Sequence, residues 1–454
     1  MEGEVVNETS TELLPREARR FKPYPAYKDS GVEWLREIPA HWSAVRLKRV
    51  FAVVNGSTPQ SGVPEYWDGD IPWVTPDDLG DLDGSEIQGT RRRITEAGYR
   101  SCGTALAPAG SLVLSTRAPI GHLAIAGFAL CTNQGCRSLV FRRKQVGRFF
   151  YFQLVAARPE LESLGQGSTF NELAKGKLED IFITEPPDDE QSAVAAFLDR
   201  ETARIDALVA KKERLIELLQ EKRSALITRA VTKGVDPNAA MKDSRVEWLG
   251  EIPAHWGVKK VKRLCLVRRG ASPRPIDDPI YFDERGEYAW VRIADVTASE
   301  RYLERTTERL SDLGKSKSVP LEPGELFLSI AATIGKPIIT KIKCCIHDGF
   351  VYFVGLRENR EFLYYLFSCG EPYKGLGKLG TQLNLNTDTI GDIYLPRPSN
   401  AEQQAIVQFL DRETGKFDAL VAQVRRAINR LNQFRIALVS AAVTGKIDVR
   451  EEVS

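Results

Sequence analysis

From Glu190 to about Ala230 the chain carries no proline or glycine, and apolar residues fall three and four positions apart. Read as a heptad, the recurring positions are Val194, Leu198, Glu201, Ile205, Leu208, Lys212, Leu215, Leu219, Lys222 and Leu226. The period returns from about Ala401 to Val443, interrupted by Gly415, through Ile406, Leu410, Glu413, Phe417, Leu420, Val424, Ala427, Leu431, Phe434 and Leu438. Such spacing places apolar side chains on one helix face, and a sustained heptad predicts helix pairing. Asp188, Asp189 and Glu190 follow Pro186 and Pro187 and suit the first turn of a helix. Either helix could lie on its own domain, but helices this long outrun a domain of ~170 residues, so pairing is the expectation. The first helix would carry the chain roughly 60 Å. The linker from Thr232 to Lys242 reaches at most roughly 40 Å, so the pair is predicted to be antiparallel, a rod with a globular domain at each end.

Outside the helices the pattern is that of short strands. Ser111–Leu114, Ser138–Phe141 and Asp180–Ile183 are β-rich runs bounded by glycine and proline. They predict an α+β domain with a twisted, mostly β core. The predicted order is a loose N-terminal arm over 1–20, a first domain over 21–187 and a helical spacer over 188–233. A second domain over 234–398, a second spacer over 399–447 and a tail over 448–454 follow.

The second half repeats the first. Residues 29–42 return as 243–256 with changes only at Gly31 and Arg36, and Phe197–Thr202 returns as Phe409–Thr414. Weaker landmarks recur between them. Gly56-Ser57-Thr58-Pro59 becomes Gly270-Ala271-Ser272-Pro273, and Trp73-Val74 becomes Trp290-Val291. Gly110–Ser115 becomes Gly324–Ser329. Strand and turn anchors persist while the surface between them diverges, which suits one fold with two recognition surfaces. Two like domains on a rigid spacer form a ruler, and major grooves on one face of B-DNA recur every ~34 Å. A bipartite, asymmetric target would follow.

Bulk properties narrow this little. The 454 residues exceed one ordinary domain. A net charge of +2 does not by itself mark a nucleic-acid binder. The seven cysteines form no CxxC pair and suit neither a zinc site nor a disulfide framework, so reduced thiols in the cytoplasm are expected. No signal peptide is visible, and no run approaches the roughly 18 apolar residues of a membrane span.

The doubled E-W-L-x-E-I-P-x-H-W motif, the G-x-[ST]-P turn and the proline-bounded long helices resemble the specificity (S) subunit of Type I restriction–modification systems. The helix endings Ala230-Val231-Thr232-Lys233-Gly234 and Ala441-Ala442-Val443-Thr444-Gly445-Lys446 fit the same family. The resemblance covers nearly the whole chain. It implies two target-recognition domains, each reading half of a split sequence in double-stranded DNA. It also implies that the helices dock two modification subunits, which bind S-adenosylmethionine and methylate adenine after flipping it out. Restriction subunits using ATP and Mg2+ would complete the nuclease. This chain would bind none of these cofactors and hold no catalytic or metal site. A coiled-coil adaptor with two protein-binding domains is the alternative.

For a DNA reader, candidate phosphate contacts are Arg91, Arg92, Arg93, Arg142 and Arg143, with Lys144. Lys259, Lys260, Lys262, Arg263, Arg268 and Arg269 are taken as their counterparts in the second domain. Solvated surface charge is the competing reading. Ser57, Thr58 and Ser272 offer hydroxyls, or simply build a turn that needs glycine and proline. Ser115-Thr116-Arg117 against Ser329-Ile330-Ala331, and Gln134 against Asp348, differ inside a shared frame. Arginine suits guanine, glutamine adenine, and an acid the cytosine amino group. Helix pairing is assigned to Leu198, Ile205, Leu208, Leu215, Leu219 and Leu226, with Leu410, Phe417, Leu420, Val424, Leu431 and Leu438. His41 and His255, unchanged between copies, are read not as catalytic bases but as polar edges of an aromatic entry strand that packs through its tryptophans. Gly375–Gly380 matches GxGxxG but follows no strand, so it is not read as a nucleotide site.

Overall fold

The computed structural model describes residues 21–453 except 83, 166–171, 375 and 377–384. Residues 1–20, expected to be a loose arm, lie outside the described residues, as does all of the Gly375–Gly380 run but Leu376. The described residues divide into two compact units, one made of those up to 212 with those from 426 on, the other of those within 213–425.

In the first unit a five-stranded sheet runs in the order Phe51–Asn55, Cys136–Phe141, Leu112–Ser115, Leu123–Ala126, Glu86–Ile87. A three-stranded sheet of Cys131–Thr132, Trp67–Val74 and Arg92–Ile94 accompanies it. Side chains along a strand alternate between faces. Val113, Ala124 and Ala126 accordingly join Val74 and Leu130 in one core. Leu112 and Leu114 point the other way, into a larger core with Phe149, Phe150, Val194, Leu198 and Ile205. The second unit repeats this plan with Leu266–Arg269, Phe350–Val354, Leu326–Ser329, Pro337–Thr340 and Tyr302–Leu303. Its second sheet has four strands, the addition being Val319–Leu321. The fold is α+β and internally repeated, as the sequence predicts.

The long helices span Asp188–Lys233 and Asn400–Val443, and Gly415 does not interrupt the second. In the first unit the start of the first helix shares a core with Leu438, Val439 and Ala442 from the end of the second. Asp206 pairs there with Arg435 at 3.3 Å. In the second unit Ile227 and Val231, from the end of the first helix, meet Ile406 and Leu410 from the start of the second. Arg223 pairs there with Asp418 at 3.2 Å. Within each unit the two helix segments are antiparallel.

The heptad register needs correction towards the middle of the helices, where alternate positions turn outward, although Val194, Glu201 and Ile406 are buried as read. Leu198, Ile205 and Leu410 are buried, and Leu219, Leu226, Phe417, Val424 and Leu431 are half-buried, with Leu438 buried. Leu208, Leu215 and Leu420 are instead 40%, 43% and 47% exposed. The inward positions are one residue on, at Thr202, Val209 and Ile216 in the first helix and at Thr414, Val421 and Ile428 in the second. An apolar residue at both candidate positions, as in Leu208-Val209, Leu215-Ile216 and Leu420-Val421, hides which of two adjacent residues faces inward, and the half-polar seam includes Lys212 and Arg223.

The repeated His-Trp motif grips the helix starts. His41 Nε2 lies 2.6 Å from Glu190 Oε1, and Trp42 Nε1 donates to Glu190 Oε2 at 2.9 Å. His255 Nε2 lies 2.6 Å from Glu402 Oε1, and Trp256 Nε1 donates to the same oxygen at 3.1 Å. Both tryptophans are buried. The histidines stand where expected, polar at the edge of the packed motif, each hydrogen-bonded to the glutamate its tryptophan also holds. The helix ends are seated on the same motif. Gly234 takes φ +74° beside Trp256, and Gly445 takes φ +70° against Pro39 and Trp42. Beyond Gly445, whose carbonyl accepts from the Tyr27 hydroxyl at 3.1 Å, Asp448 N–H donates to the Lys22 carbonyl at 2.7 Å.

Among the described residues no helix is long and apolar enough to cross a membrane. The seven cysteines form no disulfide, and burial pushes the Cys344 and Cys345 thiols up to about 12.

Candidate nucleic-acid interface

Strands Phe51–Asn55 and Leu112–Ser115 both run antiparallel to Cys136–Phe141, so their C-terminal ends meet the turn that precedes it. Three loops therefore gather at one end of the sheet. Ser57 N–H donates to the Thr132 carbonyl at 2.9 Å, and Thr116 N–H to the Gly135 carbonyl at 2.8 Å. Arg137 ties them together, its Nε donating to Asn55 Oδ1 at 3.2 Å and its Nη1 to the Leu173 carbonyl at 2.7 Å. In the second unit Ala271 N–H donates to the Ile346 carbonyl at 3.2 Å and Ile330 N–H to the Gly349 carbonyl at 2.9 Å. The glycine of each G-x-[ST]-P turn is required by close approach. A Cβ on Gly56 would lie 1.9 Å from the Asn133 carbonyl oxygen, and one on Gly270 2.2 Å from that of His347.

The turns present different chemistry in this shared frame. Thr58 donates its hydroxyl to the Gln134 amide oxygen, and both side chains reach solvent. In the second unit Ser272 donates to Asp348 Oδ1 at 2.9 Å and Arg274 Nη2 to Asp348 Oδ2 at 3.1 Å. Arg269 Nε donates to the Asp348 carbonyl. Burial pushes the Asp348 carboxyl up, but the Ser272 hydroxyl and the Arg274 and Arg269 guanidiniums more than offset this and hold it low. Asp348, expected to read a base itself, has both oxygens engaged. Arg274 stands outermost, 70% exposed against 39% for Asp348.

Other expectations are corrected. Ser115, Thr116 and Ser329 are fully buried and hold loops. Ser115 donates to the Pro119 carbonyl at 2.7 Å, Thr116 to that of Gly135 at 3.3 Å and Ser329 to that of Ala331 at 2.8 Å. Arg142 is exposed, but its Nε donates to the Lys48 carbonyl at 2.8 Å and tethers a strand end. Of the counterparts read for the first basic clusters, Arg268 and Arg269 lie on a main-sheet strand, Leu266–Arg269, whereas Lys260 and Lys262 sit elsewhere. Lys260 and Lys262 flank Asp392 at 2.9 and 2.7 Å, as Arg46 and Lys48 flank Asp180 at 3.2 and 2.7 Å. These clusters sit at the ends of the two-stranded sheets that pair Ser43–Arg46 with Phe182–Glu185 and Gly257–Lys260 with Tyr394–Arg397, not on the main sheets of the two domains.

The remaining cations stay at the surface. Arg91 pairs with Asp81, Arg143 with Glu185, and Arg117 with Glu172 at 3.1 Å. Arg92 stacks 3.6 Å over Trp67. Arg93 and Arg268 are exposed on strands. Sequence reasoning missed Arg274, although a cation two residues past the Ser272 turn was visible. Among the described residues no cluster of His, Cys, Asp or Glu could hold a metal ion.

The family model described as Type I restriction modification DNA specificity domain matches residues 39–218 and again 253–430. The chain belongs to this family. Each specificity domain, so matched, comprises one head and the first part of the long helix that follows it. The MjaIX specificity subunit of Methanocaldococcus jannaschii, a Type I restriction enzyme component, is 32% identical over 60% of this chain and 62% of its own length. That alignment thus spans under two thirds of the relative. The MjaVIII specificity subunit of the same organism is 23% identical over 93% of this chain and 97% of its own. A chain from a type I R-M system, solved for its complex assembly and conformational transition, shares the fold with TM-score 0.68 at 16% identity, over 89% of this chain and 98% of that one. The HsdS subunit from Thermoanaerobacter tengcongensis gives 0.51 at 17% identity, over 90% and 98%.

Proposed function

We propose that this chain is the non-catalytic specificity subunit of a cytoplasmic Type I restriction–modification complex. Each head reads one half of a bipartite, asymmetric DNA site. The long helices set the spacing and dock two modification subunits, which bind S-adenosylmethionine and methylate adenine. Restriction subunits supply the ATP- and Mg2+-dependent nuclease. The observation that carries this reading is the pair of like turns with unlike chemistry: one frame, an amide in the first head and a buttressed guanidinium in the second. Gln134 suits bidentate contact with adenine, and Arg274, oriented by Asp348, suits guanine. Ser57, Thr58, Arg91, Arg92, Arg93, Arg117, Arg143, Arg268 and Arg269 are assigned to the phosphates, which fix position without reading sequence.

Selection from duplexes with both half-sites randomised, by the chain with its modification partners, tests this. A split consensus with a fixed gap is expected, with binding that weakens steeply as salt rises. Sequence-independent or salt-insensitive binding would refute it and favour a protein adaptor. Methylation by the chain alone would refute the non-catalytic role.

A further inference from the structure

Asp199 and Asp411 hold the same place in the repeated Phe-Leu-Asp-Arg-Glu-Thr run, one on each long helix. In the first unit Asp199 is gripped by Arg148, from the short helix Gly147–Ala156, with Nε donating to Oδ1 at 2.7 Å. The same guanidinium donates to Ser85, directly ahead of strand Glu86–Ile87. It lies 5.1 and 5.2 Å from the ring centroids of Tyr151 and Phe152. In the second unit the equivalent aromatic pair is Tyr364 and Tyr365, and the residue three positions before it is Glu361. Here the cation is Arg301, directly ahead of strand Tyr302–Leu303. Its Nη1 donates to Asp411 Oδ1 at 2.5 Å and its Nε to Glu361 Oε2 at 2.6 Å. It lies 5.2 and 4.9 Å from the rings of Tyr364 and Tyr365. Glu361 thus stands where Arg148 stands, and Arg301 where Ser85 stands. The cation has moved to another element while its aromatic seat and its carboxylate on the helix have stayed.

Drift that removes an incidental surface pair has no reason to rebuild it from a different strand. The surroundings give the pair something to do. In the second unit a cleft of about 1000 Å³ opens between head and helices, with Leu219, Arg223 and Val421 on the helix side and Arg305 and Tyr364 on the head side. Beside the cleft the head is seated on the helices by an apolar core that joins Phe362 and Leu366 to Ile406 and Leu410, and the cleft itself is left to polar contacts. Arg301 spans it, only 16% exposed, with Tyr365 donating to the same Asp411 oxygen at 2.6 Å.

We infer that Arg148–Asp199 and Arg301–Asp411 are equivalent struts that fix the angle of each head on its own helix. Each strut pairs a constant carboxylate on the helix with a cation carried by the variable head. Arg148 and Arg301 are then positioning residues for the spacing between half-sites. The strut follows from geometry alone, whereas its effect on DNA rests on the proposed function.

The test uses the full chain with its modification partners, on duplexes carrying the selected half-sites at the native gap and at one base pair more or less. The wild type is expected to prefer the native gap by at least tenfold, on the order of 1.4 kcal/mol. Arg301→Ala, and the milder Asp411→Asn, are expected to narrow that preference to within about threefold, a difference of roughly 0.65 kcal/mol. Arg301→Ser with Glu361→Arg rebuilds the first unit's arrangement and is expected to restore the preference. An equal loss of affinity at all gaps, an unchanged ratio, or failure of the rebuilt pair overturns the inference. A wild type that binds no split duplex sinks the functional reading instead. Thermal melting then judges the strut: a melting temperature lowered by Arg301→Ala and recovered in the rebuilt variant supports it, and one not recovered overturns it.

Discussion

Gly270 is held to glycine by the carbonyl of His347, so any side chain there must push a strand end aside. Gly270→Ala is expected to cost about 1–3 kcal/mol, the range for overpacking a filled site. Urea denaturation reads this directly, and an unshifted midpoint would contradict the close approach. Glu402 makes a pH prediction. Burial raises its carboxyl, but hydrogen bonds from His255, Ser399 and Trp256 win and hold it at about 2, below the ordinary 4.5. A carboxylate depressed in the folded state stabilises fully above the unfolded value and loses that contribution as pH falls through the folded one. The stability gap between wild type and Glu402→Gln should therefore close between about pH 4.5 and about 2. Melts along that series that keep a constant gap would remove the clamp's electrostatic part. At this scale the sequence showed which residues recur, as with His41 and His255. It did not show which hydroxyls are covered: Ser115 and Ser329 sit in a shared frame and look like surface readers until the strands close over them.

The long helices were legible as elements because nothing in them breaks a helix and their apolar period is sustained. Their inward face was half legible. One heptad position is right throughout, while Leu208, Leu215 and Leu420 occupy an outer flank that composition cannot separate from the seam. The two classes should respond differently to substitution. Ile205→Ala and Leu410→Ala are expected to cost about 2–5 kcal/mol. Leu208→Gln and Leu420→Gln should stay within about 0.5 kcal/mol of wild type, as exposed sites do. Chemical denaturation of the four variants separates them, and a large loss at Leu208 would restore the original register. The cations Arg148 and Arg301 escaped a repeat-based reading for a related reason. They fill one role from positions that do not align, and an offset search compares positions rather than roles.

Across the whole molecule, the duplication makes separable predictions for the two heads. Arg274→Ala should relax a single position in one half-site and leave the other half-site untouched, as read by selection on randomised duplexes. Loss of affinity for all sequences alike would reassign Arg274 to the phosphates. Replacing Arg91, Arg92 and Arg93 together should weaken binding to every duplex and flatten the salt dependence by roughly 0.9 in log–log slope for each phosphate no longer neutralised. An unchanged slope would leave them as solvated charge. The duplication also bears on the way the helix ends are seated. Gly234 meets Trp256 with continuous chain following it, whereas Gly445 meets Trp42 across a junction held by Tyr27, Lys22 and Asp448 without a peptide bond. The order head, helix, head, helix is therefore cyclic, joined covalently at one seam and by hydrogen bonds and packing at the other. Opening the backbone near Pro237 and splicing the other seam shut would permute the order of translation while keeping both heads on their own helices.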